Sequence, residues 1–230
     1  MFRRTARLIA VLGMFLTQLP STHADPDPAA LGMAAQADSP GFYTAAVHAA
    51  YETGSLDAAV ALLLELAPLP KNPAVSGALY AELAGLLALG ARWPEASDAW
   101  VSAADAGYRP GPSMLEGAAC MLAAGDASEA LKLILGARER GLDGQETLRS
   151  RVLEGWAARL NGDAARGLAL AKEALGTASG DIKYLALYLA LSCAEGGERD
   201  QYSRQATAMW PGFDLDGPLQ GAWSALTSLA

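Results

Sequence analysis

Five glycines recur along the chain at a nearly constant interval, and this spacing limits the possible fold more than any other feature. Neighbouring members of the set, Gly54, Gly90, Gly125, Gly162 and Gly197, are 35 to 37 residues apart. Each follows a segment rich in alanine and leucine, which favour helix, and each precedes a second such segment. Because glycine adopts left-handed backbone angles without steric cost, it suits the end of a helix. The spacing therefore predicts a series of helical hairpins.

The segment that begins at Gly125 displays the unit most clearly. Asp126 can cap the second helix of the hairpin, and Ser55 and Asp163 can do the same in the first and fourth units. In the helix after Asp126, Ala130, Ile134 and Ala137 fall on one face. A lone pair of such helices cannot cover its own apolar side, so successive hairpins must stack. Since the chain has no run of alternating β-branched residues, the fold class predicted is all-α.

The second unit has the most specific pattern. Its apolar and small positions are Tyr80, Leu83, Ala84 and Leu87, followed by Ala96, Trp100 and Ala103. This order resembles the tetratricopeptide repeat, in which W-x2-L-G-x2-Y is followed by A-x3-F. The first and third units match in the same register, the fourth is looser, and the fifth is degenerate. The resemblance implies a right-handed α-solenoid of about five hairpins over residues 41–210, closed by a C-terminal capping helix over residues 211–230.

The N-terminus resembles a secretory signal peptide covering residues 1–24. Three arginines precede a short apolar run, and a small-residue cleavage site ends at Ala24. The apolar run is well short of the roughly 20 residues that span a bilayer. The sequence therefore predicts a protein exported to the periplasm or secreted, without stable membrane insertion after cleavage, and with a flexible segment at residues 25–40.

The charge of the chain argues against nucleic acid as a partner. Loss of the signal would remove three arginines and no acid, which makes the formal charge −11 instead of −8. Proteins that bind nucleic acid or anionic lipid through charge carry a basic patch. This sequence has none, so we expect a protein or a small ligand as the partner.

Two cysteines, Cys120 and Cys193, would invite a disulfide in an exported protein. The repeat register places both late in a first helix, in the third and fifth units. Equivalent helices two units apart should be separated by roughly 20 Å, whereas a disulfide needs Cα atoms within about 7 Å. The register therefore predicts two free, buried thiols and no disulfide.

The sequence offers little to support catalysis or metal binding. After signal removal His48 is the remaining histidine, and metal sites usually recruit several His or Cys ligands. The chain also lacks a G-x-S-x-G elbow, a phosphate-binding glycine loop and an H-E-x-x-H motif. We therefore expect a protein that is not an enzyme and has no cofactor or metal.

The resemblance implies that the first helix of each hairpin lines a concave groove. The candidate groove residues are Thr44, His48, Tyr51, Gly85, Leu115, Ala119, Arg149, Val152, Trp156 and Arg159. The lysine and asparagine pattern with which some relatives clamp a peptide carboxylate is missing, so an apolar or helical segment is the expected ligand. Trp156 with Arg149 and Arg159 is the most distinctive cluster, because Trp and Arg are enriched in hot spots. Alternatively, Trp156 fills the space beside Gly155.

Two functions follow as hypotheses. In the first, the protein is a non-catalytic scaffold or adaptor of the bacterial cell envelope, and it binds another envelope protein or peptide in its groove. In the second, it is an accessory protein that holds a small apolar ligand within the superhelix. The scaffold or adaptor is the leading hypothesis, and the ligand-binding accessory protein is the alternative.

The cysteine assignment gives the first prediction. Titration of the denatured protein with a thiol reagent, without reductant, should detect both Cys120 and Cys193 as free thiols. Absence of free thiols would contradict the repeat register, because it would require the two helices to lie within disulfide distance.

Overall fold

The computed structural model describes residues 37–39 and 41–209, and every regular element in this part of the chain is an α-helix. The prediction of an all-α fold class is confirmed. The predicted signal peptide, most of the predicted flexible segment and the predicted capping helix lie outside the described residues.

Ten helices follow one another in the described part of the chain. The first four are α1 Phe42–Glu52, α2 Leu56–Leu66, α3 Pro73–Leu89 and α4 Trp93–Asp105. The other six are α5 Pro110–Ala123, α6 Ala127–Glu139, α7 Gly144–Leu160, α8 Ala164–Leu175, α9 Gly180–Cys193 and α10 Gly196–Met209.

The described residues belong to two compact units, the first ending at Arg109 and the second beginning at Pro110. In the first unit each helix packs on the next one, and α1 also contacts α3. Fully buried Phe42, Leu63 and Leu79 contribute to its core. In this unit, therefore, contacts form between consecutive helices and also between α1 and α3, which are two apart in the sequence.

The second unit repeats this packing on six helices. Each of its helices contacts the next, and α7 also contacts both α5 and α9. Leu115, Ile134, Leu153 and Leu187 are fully buried there, together with many alanines. Within this unit, α5, α7 and α9 therefore form a row in which each contacts the next, in addition to the contacts between consecutive helices.

Side chains cap three of the even-numbered helices as the sequence predicts. Ser55, Asp126 and Asp163 each accept a hydrogen bond from the backbone N–H three residues ahead, at 3.1, 2.9 and 3.0 Å. Each cap satisfies one of the helix's four orphan N–H groups and contributes about 1 kcal/mol. The caps fix where α2, α6 and α8 begin.

Two of the five periodic glycines differ from the expectation. Gly90 ends α3 with an ordinary φ of −80°, and the next residue, Ala91, takes the left-handed conformation with φ of 54°. Gly197 lies in the first turn of α10 and does not end a helix, so the prediction for Gly197 is wrong. The chain leaves α9 earlier, because Ala194 adopts an extended conformation.

Small residues allow helices α7 and α8 to cross closely. A Cβ atom added to Gly167 would lie 3.1 Å from the carbonyl oxygen of Gly155 and 2.9 Å from the sulfur of Cys193. One added to Gly155 would lie 2.5 Å from a methyl carbon of Leu189. This crossing leaves no room for a larger residue at either glycine without movement of its neighbours.

A pair of glycine substitutions tests this close packing. Gly111→Ala should destabilise the protein by about 1–3 kcal/mol, as overpacking does, because the new Cβ would lie 2.3 Å from the carbonyl oxygen of Gly141. Gly85→Ala is the control: a Cβ there meets no atom within 4 Å, so it should stabilise the helix by about 0.5–1 kcal/mol. Urea unfolding measures both, and equal stabilities would contradict the packing described here.

Candidate functional site

Three of the ten candidate groove residues are exposed, and all three lie on helix α1. Thr44, His48 and Tyr51 have the spacing i, i+4 and i+7, which places them on one face of the helix. The opposite face is buried, with Phe42, Ala46 and Ala50 in the core. Helix α1 therefore presents a surface of polar and aromatic side chains.

Most of the other candidates do not present their side chains to solvent. Gly85 is half-buried, and Leu115, Ala119, Val152 and Trp156 are buried. Trp156 is only 1% exposed, and its ring packs against that of Tyr188 with a centroid distance of 5.7 Å. In this structure the tryptophan is a packing residue of the second unit and its ring is not offered to a partner.

The two candidate arginines make contacts between alternate helices of the second unit. Nε of Arg159 on α7 donates a hydrogen bond to the carbonyl oxygen of Ser192 on α9, at 3.0 Å. Arg149 on α7 forms an ion pair with Glu116 on α5. Both guanidinium groups are thus used for packing within this unit.

The ion pair between Glu116 and Arg149 is bidentate and shielded from solvent. Its two N···O distances are 2.5 and 2.7 Å, and the side chains are 8% and 15% exposed. Burial opposes the charge on Arg149, but the attraction and hydrogen bonds of Glu116 outweigh it, so the net effect raises the pKa of the guanidinium. The arrangement holds two opposite charges together in the interior.

The thiol of Cys120 lies one helical turn beyond Glu116 on α5. Both Cys120 and Cys193 are buried and are not joined to each other. Burial and the nearby Glu116 raise the pKa of Cys120 to about 12, and burial also raises the pKa of Cys193. Since the thiolate is the reactive form, the raised pKa values lower the nucleophilicity of both thiols at neutral pH.

A second polar cluster lies in the first unit, where α1 meets α3. The hydroxyl of Tyr43 on α1 donates a hydrogen bond of 2.7 Å to Oε1 of Glu82 on α3. Tyr51 and Tyr108 lie near enough to this pair to act on it electrostatically. We call Tyr43, Tyr51, Tyr108 and Glu82 the tyrosine–glutamate cluster.

The electrostatics of the tyrosine–glutamate cluster keep the hydroxyls of Tyr43 and Tyr51 protonated. Burial raises the pKa of Tyr43, and the hydrogen bond to Glu82 and its charge raise it further. Burial and the charge of Glu82 also raise the pKa of Tyr51. At physiological pH these side chains are therefore neutral hydrogen-bond donors beside a carboxylate.

The cluster reaches the exposed face of α1 through Tyr51. Its side chain is 49% exposed, and it follows His48 on the same face. Nδ1 of His48 lies 3.2 Å from Oε2 of Glu52, and both of these side chains are well exposed. We define Thr44, His48 and Tyr51 as the α1 face, and one of its members, Tyr51, interacts electrostatically with Glu82.

Sequence reasoning identified the exposed members of this site but missed Glu82 and Tyr43 as a pair. The two residues are 39 positions apart, and Glu116 and Arg149 are 33 apart. Both separations are close to the glycine interval, so a search for complementary side chains one repeat apart on first helices would have found them.

The described residues contain neither a membrane-spanning helix nor a metal-binding group. Within residues 37–39 and 41–209, no helix has the length and apolar character needed to cross a bilayer. In the same ranges no three His, Cys, Asp or Glu side chains form a group that could hold a metal ion. Comparison with protein-family models, curated proteins and solved structures finds no match to this chain.

The buried ion pair gives the third prediction. Arg149→Met should cost about 3–5 kcal/mol of unfolding free energy, because it leaves the carboxylate of Glu116 buried without a counter-charge. The double variant Glu116→Met, Arg149→Met should recover most of this loss, since both charges are then removed together. Chemical denaturation of the single and double variants measures the coupling.

The control for this pair is Lys132→Met, which breaks an exposed ion pair with Glu129. Exposed pairs contribute little to stability, so its effect should be far smaller than that of Arg149→Met. Equal effects of the two substitutions, or a double variant no more stable than Arg149→Met, would contradict the assignment of Glu116 and Arg149 as a coupled pair.

Proposed function

We propose that this protein is a non-catalytic scaffold of the bacterial cell envelope, built from tetratricopeptide-like repeats, that binds a helical segment of another protein at the α1 face. The proposed export follows from the signal-like N-terminus. The proposed repeat architecture follows from the glycine interval and the resemblance of the second unit to the tetratricopeptide pattern.

Polar contacts between alternate helices support the repeat architecture. Tyr43 reaches Glu82, Glu116 reaches Arg149, and Arg159 reaches the backbone of Ser192. These partners are 39, 33 and 33 residues apart. In a stack of hairpins, side chains that meet between successive first helices are separated by about one repeat. Each unit by itself is consistent with such a stack.

The exposed α1 face is the observation that carries the binding proposal. Thr44, His48 and Tyr51 are aligned on a helix whose other side is in the core. Half-exposed tyrosine is a favourable interface residue, because it combines a large apolar ring with a polar end. An amphipathic helix of a partner can lie along such a face and contact it at helical intervals.

Site-specific photocrosslinking tests the binding proposal. We expect p-benzoylphenylalanine at position 44 to capture one stoichiometric protein when intact cells are irradiated. The same probe at position 135 should not capture it, since Leu135 is 57% exposed but lies on α6 and is not part of the α1 face. Tyr51→Ala should lower the yield of the adduct from position 44 several-fold, because the ring is part of the contact.

Two outcomes would contradict the proposal. One is recovery of the same adducts from positions 44 and 135, which would indicate non-specific capture. The other is an unchanged yield from position 44 in the Tyr51→Ala variant. Because Tyr51 is half-exposed, this substitution should leave the fold intact, and circular dichroism of the purified variant serves as the check.

A further inference from the structure

The tyrosine–glutamate cluster holds a carboxylate that the first unit does not neutralise. Ion pairs described in that unit join Lys71 to Asp38, Arg92 to Glu95 and, when the imidazole is protonated, His48 to Glu52, and none of them includes Glu82. The group that Glu82 does engage is the neutral hydroxyl of Tyr43. Among the described residues of the first unit, no cation is therefore paired with this carboxylate.

The wider charge of the first unit favours a cation at this place. Its described residues include eight acids and three basic side chains. Two of those basic side chains are the ones paired with Asp38 and Glu95. An acidic surface attracts cationic ligands and raises their local concentration, so a basic group would be drawn to the cluster.

In the second unit, a carboxylate that also lies on the first helix of a hairpin is paired with an arginine. Glu116 projects from α5 towards α7, where it is paired with the guanidinium of Arg149 through two hydrogen bonds. Glu82 on α3 meets α1 instead, and α1 supplies a tyrosine. The arginine that completes the pair in one unit has no equivalent beside Glu82.

The tyrosine rings supply the other half of a cation site. A guanidinium or ammonium group is attracted to the face of an aromatic ring, and more strongly when a carboxylate is also within reach. Tyr51 is half-exposed and interacts electrostatically with Glu82, while the hydroxyl of Tyr43 donates a hydrogen bond to the carboxylate. A cation entering from the α1 face would therefore meet both a ring and a carboxylate.

We propose that the tyrosine–glutamate cluster binds a cationic side chain, arginine or lysine, presented by the partner's helical segment. This inference rests on the proposed function and gives the chemical class of the partner at the same surface. Arginine is the better ligand of the two, because its planar guanidinium stacks on tyrosine and hydrogen-bonds to a carboxylate.

Nuclear magnetic resonance of ring-labelled tyrosines tests the proposal on the full chain. N-acetyl-L-arginine amide is the probe, and N-acetyl-L-citrulline amide is its neutral analogue of the same shape. The arginine probe should shift the ring signals of Tyr43 and Tyr51 saturably. The citrulline probe should bind at least about tenfold more weakly, since a hydrogen bond to a charged group is lost.

Three variants sharpen the test. Glu82→Gln keeps an oxygen that can accept from Tyr43 but removes the charge, so arginine binding should weaken at least about tenfold. Tyr51→Ala should weaken it about two- to fivefold through loss of the ring. Glu65→Gln removes an exposed carboxylate from α2 of the same unit and should change binding less than about twofold, because exposed charges are screened.

The proposal is overturned if the arginine probe gives no saturable shift, if citrulline binds equally well, or if Glu82→Gln retains full affinity. These results are separable from the crosslinking experiment. Capture of a partner through position 44 with no preference for arginine would refute the cation site alone. A clear preference for arginine without any captured protein would refute the scaffold function and leave the cation site supported.

Discussion

The architecture depends on close contact between helices whose meeting surfaces carry almost no side chain. At the crossing of α7 and α8, Gly155 and Gly167 face each other so closely that a Cβ on Gly167 would lie 3.1 Å from the other's carbonyl oxygen. Fully buried alanines such as Ala46 and Ala130 have a similar role elsewhere. Because small side chains offer little area to bury, stability has to come from the number and closeness of such contacts.

Close approach also brings polar side chains on alternate helices within hydrogen-bond distance. Glu116 and Arg149 are held at bidentate geometry, and Arg159 reaches a backbone carbonyl on α9. A buried ion pair adds little net stability, since desolvation offsets the attraction, but it strongly disfavours any register that separates the charges. In this chain the polar contacts therefore select the alignment of helices, while the small apolar residues provide the energy.

Local features could be predicted from the sequence more directly than contacts between distant residues, for which the repeat interval was the available signal. The caps at Ser55, Asp126 and Asp163 depend on neighbouring residues, so their positions were correct. The prediction that Gly197 ends a helix was wrong, because the C-cap residue of α9 is Ala194, a residue with no special preference for ending a helix. For Trp156 the sequence left a binding role and a packing role open. The ring packs against Tyr188 on α9, a contact that a helical pattern does not specify.

The contrast between Glu82 and Glu116 separates the groups that stabilise the protein from those available for recognition. A carboxylate bound bidentately by a buried guanidinium has its charge and lone pairs satisfied, so it offers nothing to a ligand. A carboxylate that accepts from a tyrosine hydroxyl is oriented but keeps its charge, because the donor is neutral and its raised pKa keeps it so. A binding site for a cation needs a carboxylate that is held in place but not neutralised, since the ligand then supplies the opposite charge. By this criterion we propose that the first unit recognises its partner where α1 meets α3.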